Sequence, residues 1–161
     1  MRLILIFCAL FSANVFAQQC NQNMKQTNPT VEFIDNNDGT VTDVINMTIW
    51  KKCLEGQSFI EGVCYGEPTV YENFELAMNL SDEEYRLPNI KELVSIVEYS
   101  CFEPAINLEV FPDTPIGLYW SSTPNVRAES DKPNGKLIDF TDGTDIIKDI
   151  SLPRYVRLIK N

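Results

Sequence analysis

The sequence predicts an α+β fold with an antiparallel sheet, and three observations lead there. Strand-like segments lie toward both ends with two helical patterns between them, which is not the strand–helix alternation of a parallel sheet. Asp-Gly turns follow apolar runs near both ends, at Asp38-Gly39 and Asp142-Gly143. Behind a leader-like start, Cys20, Cys53, Cys64 and Cys101 form an even set, as expected of two disulfides.

Residues 1–17 read as a signal peptide. Arg2 is the basic flank, residues 3–11 are apolar, and Val15 and Ala17 are the small residues of a cleavage site. The apolar run falls well below the roughly 20 residues that cross a bilayer, so no membrane span is expected. Removing the leader removes Cys8 and leaves the other four in an oxidising compartment: periplasm, cell surface or medium. Residues 18–30 are a polar extension, expected to be loosely held except at Cys20, and 31–161 form one domain.

Within that domain, 31–34 read as a strand and 35–39 as a turn, because Asp and Asn tolerate left-handed backbone and Gly prefers it. Val41 and then 47–50 return the chain to the sheet. Thr69 and Glu72 have capping-box spacing ahead of Val70, Phe74, Ala77 and Met78, with Glu72, Glu75 and Asn79 on the wet side. A second helix starts after Pro88, with Asn89 as cap and Glu92 three residues on. Ile90, Leu93, Val94 and Val97 make its buried stripe. From 102 to 133 the chain is rich in Pro, Asn and Ser, and only 118–122 reads as a strand. Long irregular stretches in compact domains are usually functional or disordered. The strands 137–140 and 155–159 close the domain, with Ile146, Ile147 and Ile150 carrying the return arm of the second hairpin.

Composition removes whole classes of function. Thirteen Lys+Arg against 23 Asp+Glu leave a formal charge of −10, which opposes nucleic acids and anionic membranes. With no His there is no Ser-His-Asp or Cys-His dyad and no His-ligated zinc or haem. Ser121 and Ser122 lack a GxSxG elbow and suit buried hydroxyls better than nucleophiles. The run 35–40 resembles a calcium loop but fails the EF-hand count, with Gly39 fifth and Asn46 in the twelfth place. No catalytic residue, metal site or cofactor is assigned; a calcium held by scattered carboxylates and carbonyls stays open. The Asn46 and Asn79 sequons carry little information.

Four cysteines permit three pairings. The favoured one joins Cys53 to Cys64 in a short loop and Cys20 to Cys101 across the chain. A four-thiolate metal site would want close CxxC pairs, and none exists.

Several ordered blocks then form a family pattern: Asp38-Gly39-Thr40-Val41-Thr42-Asp43, Trp50-Lys51-Lys52-Cys53 with Glu55-Gly56-Gln57, and Arg86-Leu87-Pro88-Asn89 with Lys91-Glu92-Leu93. Pro104-Ala105-Ile106-Asn107, Phe111-Pro112, Tyr119-Trp120-Ser121-Ser122-Thr123 and Val156-Arg157-Leu158-Ile159 complete it. Over about residues 31–160 the chain resembles the Lcl C-terminal domain family. The resemblance implies a C-type-lectin-like domain, related also to sulfatase-modifying factors, with two helices packed on twisted antiparallel sheet and long irregular loops. The family's namesake is a surface adhesin that binds sulfated glycosaminoglycans and trimerises on a collagen-like stalk. This chain has no Gly-X-Y segment and is strongly acidic. The usual Thr-Gly-Leu-Met-Trp block reads Asn46-Met47-Thr48-Ile49-Trp50, and Tyr85 replaces a Trp. Trp50 and Trp120 are expected in the core, and Arg86 and Arg157 as buried ion-pair partners.

The expected function is an exported, non-enzymatic lectin-like binding module, an adhesin or cell-envelope component, that recognises a glycan or protein. Its candidate ligand-facing loop is Asn125, Arg127, Glu129, Asp131, Lys132 and Asn134. The rivals are a structural part of a pilus or envelope complex and a carboxylate-based hydrolase.

Overall fold

Local turn chemistry builds the first sheet. The computed structural model describes residues 17–125, 135–147 and 154–161. β1 (Gln19–Cys20) is followed by a 3-10 turn (Thr30–Glu32), β2 (Phe33–Asp35), β3 (Thr40–Asp43) and β4 (Thr48–Lys51). The expected strand at 31–34 therefore begins two residues late. Val31 sits in the 3-10 turn and is 87% exposed, since a lone edge valine has no partner strand to cover it. Met47, expected to open β4, instead sits in the turn before it with φ 55°. Two short strands, β5 (Ser58–Ile60) and β6 (Val63–Tyr65), fill the Cys53–Cys64 loop.

α1 (Phe74–Met78) is capped by Asn73, whose side chain accepts from the Leu76 N–H at 2.9 Å. The Thr69–Glu72 capping box does not form. The Thr69 N–H is drawn to the Glu55 carbonyl (2.8 Å) and that of Tyr71 to Arg154 (2.8 Å), which keeps this stretch extended. Of the predicted apolar face Ala77 is buried, while Val70 and Met78 are exposed. β7 (Tyr85–Arg86) precedes α2 (Ile90–Ser95), where the Asn89–Glu92 capping box forms as its spacing requires. Leu93 and Val97 of its stripe are buried, joined by Ile96. β8 (Cys101–Phe102), β9 (Leu118–Pro124), β10 (Gly135–Asp139), β11 (Thr144–Ile146) and β12 (Ile159–Lys160) complete the order. The predicted last strand thus contracts to two residues, because 154 and 155 make only single bridges, to Tyr71 and Tyr119. The return arm of the second hairpin stops at Ile146; Ile147 is exposed, and Ile150 lies outside the described residues.

The strands form an antiparallel five-stranded sheet ordered β2-β3-β4-β12-β7, a three-stranded sheet β11-β10-β9, and the pairs β1-β8 and β5-β6. Period-two alternation explains two cores. Tyr119, Ile138 and Ile159 point into a large cluster with Trp50, Leu93 and Phe111. Their chain neighbours Trp120, Leu137 and Leu158 point the other way, into a smaller cluster with Ala77, Leu87 and Val156. Both tryptophans are fully enclosed, and Ser121 is buried with its hydroxyl donating to the Lys136 carbonyl (2.7 Å).

The two expected ion-pair arginines differ. Arg86 does pair with a carboxylate, Glu92, through two bonds of 2.9 and 2.8 Å, but its side chain is 37% exposed rather than buried. Arg157 is fully buried and meets no carboxylate among the described residues. Its guanidinium donates to the Lys51 carbonyl (2.9 Å), the Lys52 carbonyl and the Thr114 hydroxyl (2.7 Å), and lies 4.8 Å from the Phe111 ring centroid. Carbonyl dipoles at the end of β4 hold it, and burial pulls its pKa down to about 10.

The extension 18–30 is docked at both ends, at 18–21 and 27–30, while its middle is exposed. Glu98, 1% exposed, accepts from the backbone N–H groups of Thr27 (3.1 Å), Asn28 (2.8 Å) and Ser100 (2.9 Å) and from two hydroxyls. Asn107 adds a bond to the Asn28 carbonyl (3.0 Å), and the Cys20–Cys101 bridge pins the start. An ionised carboxylate in a buried place needs donors, and the polar extension supplies them.

Candidate functional site

The four cysteines form the favoured bridges, Cys20–Cys101 and Cys53–Cys64. In the candidate loop, Asn125 is half-buried just past β9. Arg127, Glu129, Asp131, Lys132 and Asn134 lie outside the described residues. No three His, Cys, Asp or Glu among the described residues are placed to hold a metal ion.

The structure gathers a different set of polar residues. Side chains from the β2–β3 turn, the end of β4, the disulfide loop and β7 line a cleft of about 170 Å³: Asp38, Lys51, Glu55, Gln57, Phe59 and Tyr85, with Gly39 in its wall. An open groove adjoins it across Asp38 and Phe59 and is lined also by Asp35, Asn37 and Glu61.

Each element has a local cause. Asp35 accepts from the Asn37 N–H (2.9 Å), and Asp38 accepts from the Thr40 N–H (2.9 Å) and hydroxyl (2.5 Å). These Asx turns shape the tip. Gly39 has φ 89°, and a Cβ there would lie 3.1 Å from the Phe59 Cβ, so glycine lets the β5–β6 hairpin close on the turn. Gly56, also at φ 89°, would bring an added Cβ to 2.6 Å from the Thr69 backbone nitrogen, so glycine lets the segment after the disulfide loop pack against its start. The register Thr40↔Lys51 and Lys160↔Tyr85 places Lys51 and Tyr85 in one sheet, on the two strands that flank β12.

Charge in the cleft and beside it is organised in pairs. Lys51 Nζ lies 3.0 Å from Glu55 Oε1 and 4.4 Å from the Tyr85 ring centroid. Lys52 Nζ lies 2.7 Å from Asp35 Oδ2 and 5.3 Å from the Phe59 ring centroid. Each ammonium is held between a carboxylate and an aromatic face. The Lys52 hydrogen bond, helped by the Asn37 N–H, holds Asp35 below the usual carboxylate range. The Thr40 hydroxyl and N–H do the same for Asp38. Burial raises the Tyr85 phenol, reinforced by Glu84 and Asp38. Asp38 Oδ1 is engaged by both the N–H and the hydroxyl of Thr40. The cleft therefore offers acceptors, one shared ammonium and a phenol.

Sequence reading missed this site, although a signal for it was present. Asp38, Lys51, Glu55, Gln57 and Tyr85 all belong to or adjoin the ordered blocks. Apolar members of those blocks fill the cores, and these five polar residues meet here. The Lcl C-terminal domain model matches residues 39–160. No curated protein and no solved structure matches the chain.

Proposed function

The chain belongs to the Lcl C-terminal domain family, and from that premise we propose an exported, non-enzymatic, lectin-like binding module that recognises a glycan or protein. It would serve as an adhesin or cell-envelope component. Two disulfides support export, because such bridges persist in oxidising compartments. No helix of the described residues is long and apolar enough to cross a membrane.

The observation that carries the reading is the cleft at Asp38, Lys51, Glu55 and Tyr85. It is open and polar, and it rests on a turn and a hairpin fixed by a disulfide. Its hydrogen-bonding atoms suit hydroxyls, which donate to carboxylates and accept from an ammonium. Asp38 and Glu55 outnumber Lys51, so sulfate or uronate groups are disfavoured there relative to neutral or cationic ones. The shifted carboxyls, Asp35, Asp38, Asp82, Glu92 and Glu98, each have hydrogen bonds within the chain that explain their state, which argues for scaffolding rather than acid–base chemistry.

A glycan array probed with the mature chain, with and without calcium, tests this. Binding to neutral or amino-bearing glycans is expected, weakened about tenfold by Asp38→Asn, the loss typical of a charged hydrogen bond. A blank array together with a tight protein partner in pull-downs would replace this reading with an assembly role. Binding that ignores the substitution would move the ligand to the 125–134 loop.

A further inference from the structure

We infer that residue 18 is the mature N-terminus and that the fold seals it, keeping Gln18 from cyclising and from being trimmed. The inference rests on the export reading and on the sequence around Ala17, and it is independent of what the cleft binds.

An N-terminal glutamine is chemically exposed. Its α-amine attacks the side-chain Cδ, a C–N bond forms to close a five-membered lactam, and the Cδ–Nε2 bond breaks. Ammonia leaves with Nε2, the amine proton passes to it, and no oxidant or other reactant is needed. The reaction requires a carboxamide free to fold back on its own amine.

Gln18 does not have that freedom. Its Nε2 donates to the Pro104 carbonyl at 2.7 Å and to the Ile106 carbonyl at 2.6 Å. The acceptors flank Ala105, which, like Ile106, is fully buried in the wall of the larger core. Ala105 is itself tied on both sides, its N–H to the Phe140 carbonyl (2.7 Å) and its carbonyl to the Glu98 N–H (3.1 Å). The cradle is therefore rigid. The next residues hold the backbone in place: Gln19 pairs with Phe102, Cys20 pairs with and is bridged to Cys101, and the Asn21 N–H donates to the Ser100 carbonyl at 2.7 Å. The nitrogen that cyclisation must expel is the one that occupies both carbonyls. Lactam formation therefore has to wait for this end to open, and its rate falls by the fraction of time spent open. An aminopeptidase faces the same requirement, because its substrate must be an unpaired end. Ala17 is exposed, outside the docked stretch.

The test uses protein recovered from the exported fraction, digested and read by mass at its N-terminal peptide. The expected chain begins at Gln18 with an intact carboxamide. On prolonged incubation it loses ammonia at least about tenfold more slowly than the same protein reduced and unfolded in the same buffer. Cys20→Ser should shift the folded rate toward the unfolded one. Equal rates in folded and unfolded protein would overturn the seal while leaving export intact. A chain that begins elsewhere would overturn the assignment of the terminus. A chain that never leaves the cytoplasm would overturn the export reading itself.

Discussion

The two disulfides anchor regions built on opposite plans. Cys20–Cys101 joins residues 81 apart, and a buried polar cluster around Glu98, Asn28 and Asn107 backs it. Cys53–Cys64 joins residues 11 apart around a hairpin that pairs only with itself among the described strands and leaves Ile60, Val63 and Tyr65 exposed. The first bridge completes a fold whose N-terminal segment has little apolar surface to bury. The second fixes the shape of a wall that faces solvent. Bridges of one chemistry thus have different tasks, set by what surrounds them.

Breaking each bridge separately tests that contrast. In the chain-entropy picture, Cys20→Ser with Cys101→Ser should cost about 4.5 kcal/mol and Cys53→Ser with Cys64→Ser about 3 kcal/mol. Urea titrations of both double variants measure this. Equal losses would remove the distinction between global staple and local clip. Hydrogen exchange should sharpen it: the second variant loses protection within 55–66, the first throughout 18–30 and 98–107.

Glu98→Gln isolates the polar half of the first region. An amide oxygen cannot replace a carboxylate that accepts five hydrogen bonds, and a loss of about 2 kcal/mol is expected. The pH dependence has a definite sign. Burial works against ionisation of Glu98, but donors from Ser100, Asn28 and Thr27 outweigh it and hold the carboxyl below its ordinary value. Its stabilisation is therefore fully present above the unfolded carboxyl range, near pH ~4.3, and is lost as pH falls through the lower folded value. Melting temperatures followed downward from pH 5 should fall less steeply in Glu98→Gln than in the native chain; parallel curves would show that Glu98 does not carry the acid sensitivity.

The smallest expected effect lies in the second region. Gly56→Ala puts a Cβ against the Thr69 backbone at a left-handed position and should cost just over ~1 kcal/mol, confined to the start of the disulfide loop and the segment that follows it. A thermal shift together with unchanged exchange protection at 18–30 would establish that the two regions respond independently.

Features that depend on a few neighbouring residues were legible in the chain itself. The Asp38-Gly39 and Asp142-Gly143 turns, the Asn89–Glu92 capping box and the alternation through Tyr119-Trp120 follow from backbone preference and periodicity. Loop length favours the observed bridges among the three possible pairings, and the ordered blocks resemble one family. The Thr69–Glu72 pattern shows the limit of such reading. Its spacing is right for a helix start, yet the carbonyls of Glu55 and Arg154, 14 and 83 residues away in sequence, claim the N–H groups of Thr69 and Tyr71 and keep them extended.

The amino-acid sequence by itself determined the α+β class, the turns, the second helix and the residues available for bridging, because each rests on interactions within a short span. Tertiary structure alone decided that a polar extension would solvate a buried Glu98 some 70 residues away, that Arg157 would rest on carbonyls rather than a carboxylate, and that Asp38, Lys51, Glu55 and Tyr85 would meet. Which donor meets which acceptor across such separations depends on how the two cores stack, and that is a property of the whole packed chain.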